Sequence, residues 1–149
     1  MPASIGSTLS NVDRPARILI AEDDREMRRL MADSLREDGY EIHEVEDGAE
    51  LMVRLEDAFF LSRTPPIDLF VTDIRMPGHT GLHVVSSLRG AGIDVPGVII
   101  TAFGNAETRD QAVALGAQLL EKPFKMAALR ALVRYLLRQR FTASDKRHS

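Results

Sequence analysis

Glu22 and Asp23 follow the apolar run Arg17–Ala21, Asp73 follows Ile67–Thr72, Thr101 closes Val98–Thr101, and Lys122 follows Gln118–Glu121. If these runs are parallel strands, their carboxyl ends lie along one edge, where open α/β sheets bind ligands. Carboxylates crowded there repel, because like charges a few ångströms apart do not all stay ionised without compensation. A cation is implied. Hard oxygen donors suit Mg²⁺, which keeps several waters and leaves positions for phosphate oxygens, and Lys122 adds a further positive charge. Each residue alone has an ordinary explanation: an Asp after a strand usually caps a turn or helix, and Lys-Pro is a common surface dipeptide. Their joint placement at the ends of distinct strands carries the reading.

Other chemistry is sparse. The sequence holds no Walker P-loop, GxGxxG, HExxH or GxSxG motif. His43, His79, His83 and His148 have neither metal-ligand spacing nor a nucleophile partner, and read as solvated or satisfied side chains. Asp24, before Arg25 and Glu26, reads as a helix N-cap. There are no cysteines, so disulfides, thiolate metal sites and cysteine nucleophiles are excluded and a reducing compartment is expected.

The elements that must position this chemistry follow from periodicity. Short apolar runs alternate with stretches of helical period, the pattern of strand-helix units around a parallel sheet. Arg17–Ala21 reads as a strand buried on both faces, and Met27, Leu30, Met31 and Leu35 mark one face of a helix stopped by Gly39. Tyr40–Val45 suits an edge strand and Ala49–Ala58 a helix; Thr64-Pro65-Pro66 enforces an extended link before the strand Ile67–Thr72. Gly81–Leu88 is a third helix, ended by Gly90 and Gly92. After Val98–Thr101, Asn105 caps a helix reaching Leu115, with Gly116 beyond. Gln118–Glu121 is a short last strand, and Met126, Leu129, Leu132, Val133, Leu136 and Leu137 form the stripe of a closing helix.

The 149 residues, 44% hydrophobic and 28% charged, suit one domain over residues 16–139, with tails at 1–15 and 140–149 that lack apolar periodicity and read as disordered or partner-bound. Residues Met1–Asn11 do not form a basic-then-apolar leader, and no apolar run spans a bilayer, so no membrane partner and a cytoplasmic location are expected. A net charge of -3 disfavours a phosphate backbone, and nucleic acid is not expected as a direct partner.

The ordered fragments Ile18-Leu19-Ile20-Ala21-Glu22-Asp23-Asp24, Asp73-Ile74-Arg75-Met76-Pro77-Gly78, Ile100-Thr101-Ala102 and Lys122-Pro123-Phe124 resemble the CheY-like receiver domain of bacterial response regulators over roughly residues 17–138. The resemblance implies a flavodoxin-like, doubly wound five-stranded parallel sheet of order 2-1-3-4-5 with helices on both faces. It makes Asp73 a phosphoacceptor supplied by a sensor histidine kinase or histidine phosphotransfer protein in a two-component phosphorelay. It further implies that Mg²⁺ is held directly by Asp23 and Asp73, by Glu22 through water and by the Arg75 carbonyl. Lys122 pairs with the phosphoryl oxygens, Thr101 donates its hydroxyl to them, small Ala102 leaves access, and Lys122-Pro123 is a cis peptide. The implied output is a downstream protein target, met by the face that the fourth helix, last strand and last helix share. Such a domain phosphorylates and dephosphorylates itself and is not otherwise an enzyme.

Two alternatives belong to other classes. An aspartyl-nucleophile phosphatase generally needs an acid two residues after the nucleophile, where this chain has Arg75. A phosphate-independent pseudo-receiver would be marked by loss of the acidic pair or Lys122, and all are present. One departure from the family stands out: Leu119 fills the usual aromatic switch position on the last strand. Without a ring to rotate, the signal is expected to pass through backbone and the fourth helix. Arg75 and Phe103 occupy positions that tune phosphoryl lifetime in the family. No further domain is read after Arg140, which suits a stand-alone receiver or a piece of a longer regulator.

Overall fold

The computed structural model describes residues 14–75, 80–102 and 105–148, with side chains up to residue 140. The elements run β1 (Arg17–Ala21), α1 (Arg25–Glu37), β2 (Glu41–Val45), α2 (Gly48–Phe59), β3 (Leu69–Asp73), α3 (Gly81–Gly90), β4 (Gly97–Thr101), α4 (Ala106–Ala114), β5 (Gln118–Glu121) and α5 (Met126–His148). All strand pairs are parallel, in the order β2-β1-β3-β4-β5. This is the expected doubly wound α/β sheet. Register brings the strand exits level: Ala21 pairs with Val45 and Thr72, Asp73 with Ile100, and Thr101 with Glu121.

Strand alternation splits the core in two. Ile18, Ile20, Leu69, Val71, Val98 and Ile100 pack with α1 and α5, through Met31, Leu35, Leu129 and Val133. Leu19, Phe70 and Ile99 face α2, α3 and α4. Central strands covered on both sides must be apolar at successive positions, which is why β1, β3 and β4 read as continuous hydrophobic runs. The edge strand β5 has no fully buried residue and is correspondingly more polar.

Helix ends follow local chemistry. Asp24, Asp47, Thr80 and Asn105 accept backbone N–H groups at the starts of α1 to α4. Gly39 and Gly116, at φ 92° and 71°, take the left-handed conformation beyond α1 and α4 that other residues rarely adopt. Leu30, expected on the core face of α1, is instead 53% exposed. The buried stripe is Arg28, Met31, Ala32 and Leu35, and the helical period places residue 30 opposite it.

Local structure reaches beyond residues 16–139 at both ends. Arg14 forms a two-pronged ion pair with buried Asp68, at 3.0 and 3.1 Å, and the same carboxylate accepts the Arg17 N–H at 2.8 Å. A short-range apolar pattern does not register a tether made across 54 residues. At the other end, α5 continues as helical backbone to His148, because helix continuation follows backbone propensity and does not require an apolar stripe. Residues 1–13 lie outside the described set.

Gly97 was not singled out by sequence. A Cβ built there would lie 2.3 Å from Cζ of Phe70, whose ring is fully buried. With the ring held on all sides, Gly97→Ala is expected to cost about 1–3 kcal/mol by overpacking. Urea unfolding should show a lower midpoint at unchanged slope; an unchanged midpoint would mean that the ring moves freely.

Candidate functional site

The acidic cluster begins where β1 ends. The Glu22 N–H donates to the Val45 carbonyl at 3.2 Å, which extends the β1/β2 pairing one residue past the strands and draws Glu22 into the protein. Asp24 then caps α1 by accepting from the Glu26 and Met27 amides, and its own N–H donates to Glu22 Oε2 at 3.1 Å. The Glu22 side chain is only 1% exposed. Burial pushes its carboxyl up to about 7; the Asp24 N–H opposes this, while Asp73 and a hydrogen bond with Asp23 add to it. A buried acid beside other carboxylates is costly to ionise, and here one lysine offsets only part of that cost. Asp23 itself is exposed.

Asp73 is the last residue of β3 and 8% exposed. Its Oδ2 lies 2.8 Å from Lys122 Nζ, and its Oδ1 accepts the Arg75 N–H at 3.0 Å. Lys122 Nζ also reaches Glu22 Oε1 at 3.3 Å. Burial alone would lower the lysine, but the hydrogen bond and charge of Asp73, with those of Glu22, hold it above its ordinary value. The start of α3 packs closely behind the acid: a Cβ on Gly81 would stand 3.1 Å from the Asp73 carbonyl oxygen.

Thr101 ends β4 and is 2% exposed. The Lys122 N–H donates to its carbonyl at 2.8 Å, so the hydroxyl-bearing and amino-bearing residues share a backbone tie. The Lys122-Pro123 peptide is cis, as the resemblance implied.

The tertiary structure therefore brings Glu22, Asp73 and Lys122 into direct contact. It sets Asp23 against Glu22, joins Thr101 to Lys122 through backbone, and contributes Arg75 by its amide, the Arg75 side chain being exposed. Among the described residues no three acidic or histidine side chains converge on a point that would hold a metal by themselves. The donors are nevertheless hard oxygens, and a single lysine meets two carboxylates, Glu22 and Asp73, so negative charge outnumbers positive at the contact. Both features fit a divalent cation that keeps much of its water. His43 Nε2 lies 2.8 Å from Glu41 Oε2 and 3.1 Å from Arg17 Nη1 and bonds to one or the other according to its tautomer, the satisfied role expected of it. Met76–His79 and Phe103 lie outside the described residues.

Arg28 was missed. It occupies a core position of α1 and is 9% exposed, and its Nη1 donates to the Glu22 carbonyl at 2.8 Å. The available signal was an arginine in the i, i+3, i+4, i+7 stripe with Met31, Ala32 and Leu35, where a charge needs a buried partner.

Leu119 is partly buried against the α2/α3/α4 side of the core. With Arg109, Ala112, Val113 and Glu121 it lines a groove between α4 and β5. Only Ala112 of α4 is buried, so this helix is held by few apolar contacts.

Comparison with known proteins gives this geometry its family. The family model described as "Response regulator receiver domain" matches residues 18–134. The chain is 35% identical over 124 residues to SilR of Salmonella typhimurium, a probable transcriptional regulatory protein, covering 83% of this chain and 51% of that one. It is 36% identical over 126 residues to the response regulator MprA of Mycolicibacterium vanbaalenii, covering 84% and 52%. Among solved structures, the signal receiver domain of a putative Luxo repressor protein from Vibrio parahaemolyticus superposes with TM-score 0.76 at 26% identity, covering 88% and 95%. The receiver domain of a signal transduction histidine kinase from Syntrophus aciditrophicus gives 0.69 at 30% identity, covering 83% and 91%.

The chain spans about half the length of the curated relatives it matches. Because SilR is named a transcriptional regulatory protein, the expectation that nucleic acid is no direct partner gains no support from these relatives. No helix among the described residues is long and apolar enough to cross a membrane. With the family matched over most of its length and the strand order to go with it, the chain belongs to the response regulator receiver domains, the signalling modules of two-component systems.

Proposed function

We propose that this domain accepts a phosphoryl group on Asp73 from a phosphohistidine of a partner kinase or phosphotransfer protein and thereby changes the surface around α4, β5 and α5. The reading is carried by one observation: a nearly buried carboxylate at the end of a central strand with one oxygen on Lys122 Nζ at 2.8 Å and the other on a backbone N–H at 3.0 Å. In the transfer, an Asp73 oxygen forms a bond to phosphorus as the bond to the donor imidazole nitrogen breaks, and the imidazole recovers its electron pair. A carboxylate is a weak nucleophile towards an anionic donor, so positive charge at the reacting oxygens matters most. Lys122 supplies it. Asp23, Asp73 and the Arg75 carbonyl, with Glu22 through water, are the residues that would hold Mg²⁺, which when bound neutralises charge and aligns the oxygens.

The new dianion at Asp73 competes for Lys122 and attracts the Thr101 hydroxyl. Since the Thr101 carbonyl holds the Lys122 amide, a shift of either residue strains the β4–β5 exits and the helix between them, which few buried contacts restrain. Phosphorylation biases α4 between two packings. Thr101→Ala is expected to accept phosphate yet lose most of the perturbation over residues 102–115. Leu119→Ala should leave phosphorylation nearly unchanged and cost less than the roughly 2–5 kcal/mol of a fully buried leucine. Amide chemical shifts with and without a beryllofluoride mimic test this. Largest changes at Leu119 with α4 silent, or a parental response from Thr101→Ala, would refute the route; no phosphate uptake by the parent from any phosphohistidine donor would refute the function.

A further inference from the structure

We infer that Arg28 is a positioning residue for the acidic pair, holding the β1 exit at the one geometry in which Glu22 and Asp23 serve the divalent cation. The inference rests on the reading of the site given above. Arg28 sits on α1, five residues beyond Asp23, and is 9% exposed. Its Nη1 donates to the Glu22 carbonyl at 2.8 Å, Nε lies 3.4 Å from Glu44 Oε1 and Nη2 lies 3.9 Å from Glu46 Oε1. One guanidinium thus ties three points together: the exit of β1, the end of β2, and the second turn of α1. The Glu22 amide is already pinned to the Val45 carbonyl. Arg28 fixes the carbonyl on the other side of the same residue, so both peptide groups flanking Glu22 are held.

The arrangement is costly for a structural purpose alone. A buried guanidinium needs its donors matched, and an apolar residue in the stripe of Met31, Ala32 and Leu35 would fill the same space without that need. What the arginine adds is a rigid planar fork that reaches a strand-end carbonyl and two carboxylates together. Groups that orient metal-binding side chains commonly change affinity by about 10- to 100-fold when removed.

The test uses the whole chain with Mg²⁺ alone as probe, comparing the parent, Arg28→Met, Arg28→Lys and Arg36→Gln. Arg36 also pairs with Glu44, at 3.1 Å, but has no bond to Glu22, so Arg36→Gln removes an arginine from the same carboxylate without touching the β1 exit. Mg²⁺ affinity by titration and the metal-free melting temperature are read for each. The expected result is Mg²⁺ binding weakened about 10-fold or more in Arg28→Met, less in Arg28→Lys, which keeps a single charged donor nitrogen, and unchanged in Arg36→Gln. Affinity changes should not track the metal-free melting temperatures. If Arg28→Met does not fold, Arg28→Lys decides between the outcomes. Parental Mg²⁺ affinity in the folded Arg28 variants, or an equal loss in Arg36→Gln, overturns the inference while leaving the site intact. A parent that binds no Mg²⁺ overturns the reading of the site itself and the inference with it.

Discussion

Asp73→Asn is expected to reduce phosphate incorporation to background, a loss of more than about 100-fold, while leaving the fold in place. The asparagine keeps the volume and one oxygen able to accept the Arg75 amide, so β3 and its neighbours have no reason to repack. It lacks the second carboxylate oxygen and the charge that make Asp73 a nucleophile in contact with Lys122. Label from a phosphohistidine donor should be stable to acid and lost in base in the parent, as an acyl phosphate, and absent in the variant. Stability should shift by no more than about 1 kcal/mol. Because Asp73 is one of the charges that raise the Glu22 carboxyl, the variant should also titrate Glu22 at lower pH. Full labelling of Asp73→Asn would remove Asp73 from the chemistry, and lost labelling with an unmoved Glu22 would remove the electrostatic coupling.

The second large effect is a pH-dependent stability set by Glu22. Its carboxyl is raised from 4.5 in the unfolded chain to about 7 in the fold, chiefly by burial. Between those values the folded state holds a proton that the unfolded state has lost, so stability falls as pH rises through this window and levels off above it. The full difference corresponds to about 3 kcal/mol. Glu22→Gln removes the ionisation, so in metal-free buffer it should be more stable than the parent at pH 8 and approach it near pH 5. Melting curves across that range decide the matter. Adding Mg²⁺ should erase the advantage of the variant at pH 8, since a bound cation relieves the same charge in the parent. A gap between the two proteins that does not change with pH would show that Glu22 ionises normally.

Much of this was legible because strand burial and loop chemistry are written locally. Ile18, Leu19 and Ile20 in sequence signal a strand covered on both faces, and Asp24 and Asn105 announce helix starts, each later found accepting the amides it should. The alternation of such units, with Glu22, Asp23, Asp73, Thr101 and Lys122 at the strand ends, was enough to place those residues at one sheet edge. The order 2-1-3-4-5 came from the family resemblance, since local periodicity does not say which strands are neighbours.

What the sequence determined by itself was therefore which residues end which strands, and so the class of chemistry available: hard oxygen donors, one hydroxyl and one ammonium at a common edge. The tertiary structure decided how those groups share charge. That Lys122 spans both Asp73 and Glu22, while Asp23 stays exposed, depends on the register of β1, β3 and β5 and on how deep each exit lies. The burial that lifts the Glu22 carboxyl comes from neighbours distant in sequence. The same holds for Arg28, whose partners Glu22, Glu44 and Glu46 belong to the ends of two strands, and for Gly97, empty of a side chain because Phe70 of the adjacent strand fills the space. Periodicity reports which face a side chain takes along its own element. Contacts across elements are set by packing, and the ion pairs that Lys122 makes at this site are contacts across elements.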